Sequence, residues 1–126
     1  MEEESVEVKE TLLSEEESDQ ILKSAYDDYC RVPEEMDAND FKKMCRELSI
    51  NTKKFTALDV DTVFKKTIVN VEALNDGDVL KDGVVFGGKR IKFKVYRNIT
   101  IGLTARARGA TLDELISIIR ENFKKK

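Results

Sequence analysis

Helical periodicity, punctuated again and again by capping residues, is the feature that most constrains how this chain can fold. The clearest instance lies near the end. Gly109 and Thr111 precede Leu112, Leu115, Ile116, Ile119 and Phe123, which recur at three- and four-residue steps, and Glu114 completes a capping box with Thr111. The same logic opens a helix at Ser14 with Glu17, or at Ser18, whose apolar face is Ile21, Leu22, Ala25, Tyr26 and Tyr29. Pro33 is expected to end it, because the residue before a proline is pushed away from helical geometry. Asp37 caps a second helix bearing Phe41, Met44, Cys45 and Leu48, broken over residues 49–51. Thr56 with Asp59 opens a third, carrying Val60, Val63, Phe64 and Thr67.

Between the third and last helices the period is ambiguous. Residues 79–86, Gly87-Gly88 and residues 89–95 read as strand, turn and strand, with Ile91, Phe93 and Val95 alternating with Arg90, Lys92 and Lys94. Phe93, Tyr96, Thr100 and Leu103 fit a helical face equally well, although residues 99–102 are weak helix formers. The pattern alone leaves both open. A strand over residues 53–56, before the third helix, is expected to pair with one over residues 90–93, before the fourth. The fold class that follows is mainly α: an EF-hand-like pair of helix-loop-helix units, a short two-stranded β element, an extra C-terminal helix and no calcium sites.

A length of 126 residues with 40% hydrophobic content suits one domain. Residues 1–13 are expected to be a disordered acidic arm, residues 14–123 the helical domain with an extended loop or hairpin insertion over 68–88, and residues 124–126 a basic tail. No apolar run approaches bilayer length and the acidic start is unlike a signal peptide, so a soluble, cytoplasmic protein is expected. Charge is divided unevenly. The first twenty residues hold nine acids against Lys9, a net of −8, so within a total of −3 the remainder carries +5.

Several motifs are suggestive of chemistry the chain cannot perform. Gly83 to Lys89 satisfies G-x-x-x-x-G-K, but Arg90 stands where a phosphate-binding loop needs the Ser or Thr that ligates magnesium, and the segment reads as a hairpin turn. Gly77 and Gly83 each follow aspartates as in calcium loops. With Gly77 at loop position 6, Leu74 and Gly83 occupy two ligand positions; with Gly83 there, Leu80 and Lys89 do. Two cysteines, Cys30 and Cys45, without histidine do not make a usual zinc site. No nucleophile–base arrangement is present, and the expectation is no catalysis, no metal and no cofactor.

The stretch Glu35-Met36-Asp37-Ala38-Asn39-Asp40-Phe41-Lys42-Lys43-Met44-Cys45-Arg46 resembles a segment of the tubulin polymerisation-promoting family, in which Glu-Met leads into a helix carrying an aromatic and then Lys-Leu-Cys-Lys. Thr56-Ala57-Leu58-Asp59-Val60-Asp61-Thr62-Val63-Phe64 is similar to that family's Thr-x-x-Asp-Val-Asp-x-Val-Phe. Lys89-Arg90-Ile91-Lys92-Phe93 with Tyr96 is similar to its Arg-x-Ile-x-Phe strand and following aromatic. The resemblance covers about residues 18–122 in one order. Residues 68–88 are longer than the family's usual connection, and the flanking tails of larger members have no counterpart here, so the resemblance implies the core alone.

That resemblance implies a calcium-free EF-hand-like core, a helix after Phe93 with Tyr96 and Leu103 inward, and a microtubule-associated protein that binds tubulin and promotes or stabilises assembly. The implied location is cytoplasmic and cytoskeletal, with a cilium or flagellum left open. A pI near 5.2 and the lack of a basic-aromatic pattern weigh against nucleic acid as partner, as the lack of a long apolar run does against membrane. A body of charge +5 would be steered towards acidic tubulin. The candidate contacts are Lys53, Lys54, Lys65, Lys66, Lys89, Arg90, Lys92, Arg106 and Arg108. The alternative is a calcium-independent EF-hand-like adaptor that binds a helical peptide of a cytoskeletal partner.

Overall fold

A computed structural model describes residues 15–125; the cap expected at Ser14, the arm over residues 1–13 and the last residue of the basic tail lie outside the described residues. Helix α1 spans Glu15–Tyr29 and begins with three glutamates, where the positive end of the helix dipole favours acids. It buries Leu22, Ala25, Tyr26 and Tyr29. It stops before Pro33, with the Cys30 N–H closing on the Tyr26 carbonyl at 3.1 Å. Pro33 instead belongs to a turn closed by Glu35 N–H to Val32 O at 3.1 Å, in which Glu34 takes a φ of 67°.

Strand β1 (Met36–Asp37) runs directly into α2 (Ala38–Glu47). Asp37 Oδ1 accepts from the Asp40 N–H at 2.8 Å and Asp40 Oδ2 accepts from the Asp37 N–H at 3.2 Å, a reciprocal cap. Phe41, Met44, Cys45 and Leu48 are all buried, as their spacing predicts. The chain leaves the helix through Ser49, at φ 59°.

The strand expected over residues 53–56 does not form. Thr52 gathers that segment into a turn: the Phe55 N–H reaches Thr52 O, Thr52 N–H reaches Phe55 O at 2.9 Å, and Thr52 Oγ1 accepts from both Lys54 and Phe55 N–H. These amides are satisfied locally and Phe55 is driven into the core, leaving nothing to pair across a sheet. Helix α3 (Ala57–Glu72) follows, with Asp59 Oδ2 accepting from the Thr56 N–H at 2.8 Å and Val60, Val63, Phe64, Thr67 and Val71 buried.

The β element has three strands, where two were expected, in the order β1-β3-β2 and antiparallel throughout. Strand β2 is Val84–Val85 and β3 is Arg90–Ile91, much shorter than residues 79–86 and 89–95. Asp78 Oδ1 takes the Leu80 N–H at 2.9 Å and turns the preceding chain, so Val79 is exposed. Central β3 pairs with β1 (Met36 opposite Ile91) and with β2 (Val84 opposite Ile91). The two helix-loop-helix units are therefore joined through their loops, as in paired EF-hands, but by the strand before α2.

After β3 the chain is helical, and the ambiguity resolves as the family resemblance implied. Helix α4 (Phe93–Val95) passes through a π-helical turn (Tyr96–Thr100) into α5 (Ile101–Arg108), with the Ile101 N–H bonded to Tyr96 O. The widened turn holds Ile99 and Thr100, two of the weak helix formers in this stretch. It also faces α3: Thr67 Oγ1 donates to Val63 O at 3.0 Å, so the buried Thr100 hydroxyl donates to Thr67 Oγ1, also at 3.0 Å. Tyr96 is buried and Leu103 packs partly buried against the core.

Gly109 reverses the chain at φ 80° and Thr111 caps α6 (Leu112–Lys124). Leu115, Ile116 and Ile119 are buried in a helix that packs on α1 and α5. Two members of the expected face depart from it: Leu112, at the first helical position, is 49% exposed, and Phe123 is half-buried.

Candidate partner-binding surface

The nine cations singled out from the sequence fall into two kinds. Lys53 and Lys54 are exposed on the turn before α3, Lys65 and Lys66 on α3 itself, Lys89 in the β2–β3 turn, Lys92 at the start of α4 and Arg106 on α5. None of these makes an ion pair among the described residues. The other two serve the fold. Arg108 Nε donates to Ile50 O at 2.7 Å, tying α5 to the chain leading into the Lys53-Lys54 turn. Arg90 lies 3.5 Å from Glu35 and its guanidinium stacks 4.5 Å over the Phe86 ring. Sequence reasoning passes over Arg31, which bonds Asp37 and Asp40 at 2.8 Å each, and Arg97, which pairs with Asp19 and with Glu15. Neither has a local signal: Arg97 finds its partners far away along the chain.

One part of this surface is concave. Ala38 at the start of α2, Phe64 of α3, and Phe86, Gly88, Lys89 and Arg90 of the hairpin border an open notch of about 360 Å3. Its outer wall exists because the hairpin turn folds over α3, where a β-carbon on Gly88 would stand 3.7 Å from Ile68 Cγ2. Phe86, Gly87 and Gly88 all have positive φ, 56°, 64° and 85°. Glycine adopts this conformation freely, but for phenylalanine it is strained. Phe86 is nevertheless 63% exposed. The G-x-x-x-x-G-K segment is thus a hairpin turn in which Arg90 belongs to a strand.

Two carboxylates of the calcium-like turns, Asp78 and Asp82, have other work. Asp78 caps its turn, and Asp82 pairs with Lys94, which holds its carboxyl below the usual range. Asp37 is also held low: burial opposes this, but the Asp40 N–H and the Arg31 guanidinium outweigh it. Burial pushes the Cys30 thiol up to about 12 and raises Cys45 as well, so both stay protonated near neutral pH.

The fold and this surface define an EF-hand-like helical domain, two helix-loop-helix units tied by their loop strands, displaying cations that make no ion pair among the described residues. Residues 23–74 are similar to the p25-alpha family model. The matched stretch runs from within α1 to just past α3 and includes Lys53, Lys54, Lys65 and Lys66; the hairpin and everything after it lie beyond. No curated protein and no solved structure matches the chain.

Proposed function

We propose that this protein binds tubulin and promotes or stabilises microtubule assembly, acting by docking and not by catalysis. The observation that carries the reading is the set of exposed lysines with no ion pair among the described residues, Lys65 and Lys66 foremost, within the segment that matches p25-alpha. An exposed cation not already neutralised by its own protein is available to an acidic partner. Cytoplasmic, cytoskeletal residence goes with this role, and no helix among the described residues is long and apolar enough to cross a membrane.

The peptide-clasping alternative has less support. A helix-binding groove needs an open apolar face, and the faces of α1 and α5 are occupied by the chain's own α6 through Leu115, Ile116 and Ile119.

Co-sedimentation with microtubules over a range of salt tests the proposal. Binding should weaken as ionic strength rises, since the field reaches only about 8 Å at physiological salt. Reversing Lys65 and Lys66 to Glu should weaken pelleting while circular dichroism stays unchanged, and deleting residues 1–13 should not weaken it. Folded wild-type protein that fails to pellet even at low salt overturns the proposal.

A further inference from the structure

The notch beneath the β2–β3 turn combines features that ordinary surface does not. It has apolar walls, Phe64 below and Phe86 at the rim. Phe86 is held exposed on a strained backbone, with Arg90 stacked on its ring. Local strain of this kind persists only where surrounding structure enforces it, and it gathers at binding sites. Charge points to the occupant. Lys89 has no ion pair among the described residues, and the positive end of α2, at Ala38 and Asn39, opens onto the notch. The one carboxylate at the edge, Asp37, is already neutralised by Arg31 at 2.8 Å.

We propose that this notch holds an extended acidic peptide, with one aromatic or large apolar side chain lodged between Phe64 and Phe86 and its flanking carboxylates on Lys89 and, in exchange for the 3.5 Å contact with Glu35, on Arg90. The inference rests on the tubulin-binding reading for its biological partner, where it assigns the notch to an acidic tail. The site itself is defined by the notch's own chemistry. An aromatic in an apolar cleft with carboxylates on both sides satisfies both the walls and the cations, whereas a purely acidic or a basic peptide satisfies at most one. The guanidinium stacked on Phe86 holds the ring as one wall of the cleft.

The test uses the full chain and fluorescent peptides: a run of glutamates with one central phenylalanine, the same run without it, and a lysine run carrying the phenylalanine. The first should bind saturably and lose affinity with salt. The second should bind about tenfold more weakly, the loss expected for one buried aromatic contact, and the third not at all. Phe86→Gly should weaken the first peptide by a similar factor while the melting temperature stays level or rises, because glycine accepts the positive φ. Lys89→Glu should also weaken it. Equal binding of the two acidic peptides, or wild-type affinity in Phe86→Gly, overturns the proposal. If Phe86→Gly changes only the protein's own association in ultracentrifugation, the notch is a self-contact and the proposal is likewise overturned. Microtubule pelleting read in parallel separates the two ideas: peptide binding without pelleting sinks the tubulin reading alone, and pelleting that survives Phe86→Gly with no peptide binding sinks the notch alone.

Discussion

Gly83 and Val95 meet so closely that a β-carbon on the glycine would lie 2.3 Å from Val95 Cγ2. Gly83 is buried, and its carbonyl accepts the Lys92 N–H at 2.8 Å just before α4 begins. The first glycine of the phosphate-loop look-alike is therefore required by packing. Val95 is fully buried and stiff at its branched carbon, so it has little room to yield. Gly83→Ala should cost about 1–3 kcal/mol. Urea unfolding measures it, and adding Val95→Ala should recover part of the loss, giving a combined effect smaller than the sum.

Phe64 is buried under the notch with its ring 6.2 Å from that of Phe41. Phe64→Ala should destabilise by about 3–5 kcal/mol, a large share of a small domain's stability. A wild-type melting curve for this variant would mean that the Phe64 ring is not packed between α2 and α3.

Acid should loosen the start of α2. Because the Asp37 carboxyl is held below its ordinary 3.8 in the folded protein, its contribution is present in full above that value. It is lost as the pH falls through the lower folded value, where folding resists protonation. Asp37→Asn should cost roughly 0.5–1 kcal/mol at neutral pH, since asparagine still caps but no longer attracts the exposed Arg31. Its stability should then vary less with pH below about 4 than the wild type's. Thermal melts at stepped pH read both effects.

Calcium and magnesium-nucleotide should leave the melting temperature unchanged. Asp78 and Asp82 are engaged in a cap and an ion pair, and the residue after Lys89 is an arginine in β3. A saturable upward shift with either ligand would contradict this, because a ligand that binds only the folded state raises stability with its concentration.

The helices are legible in the sequence because their evidence is local. Asp37, Thr56 and Thr111 announce helix starts within four residues, and the stripes of α2, α3 and α6 need only their own period. The sheet is not legible. Strands of two residues are too short to show alternation, and Met36-Asp37 reads as the approach to a helix. The supposed strand over residues 53–56 fails because Thr52, with neither glycine nor proline beside it, supplies a turn through its hydroxyl. Residues 93–95 alternate like a strand, yet Lys92 caps a helix whose next turn is widened to π. The lysines can be picked out from the sequence, but the notch cannot. It exists only because Gly88 settles over Ile68, a relation between segments that no local pattern records.

The pairing of Met36 with Ile91 spans the boundary of the family match and limits how this protein can be cut. Residues 23–74 carry the recognisable pattern, but their central aromatic is completed from outside them. The Tyr26 hydroxyl donates to Ile91 O at 2.6 Å, and its ring lies against Phe93 and Tyr96 at 5.4 and 5.0 Å. A fragment ending at Leu74 would open Tyr26, Met36 and the Thr67 hydroxyl to water at once. The matched segment is therefore not an autonomous folding unit, and limited proteolysis between α3 and β2 should leave two pieces that remain associated until denaturant parts them.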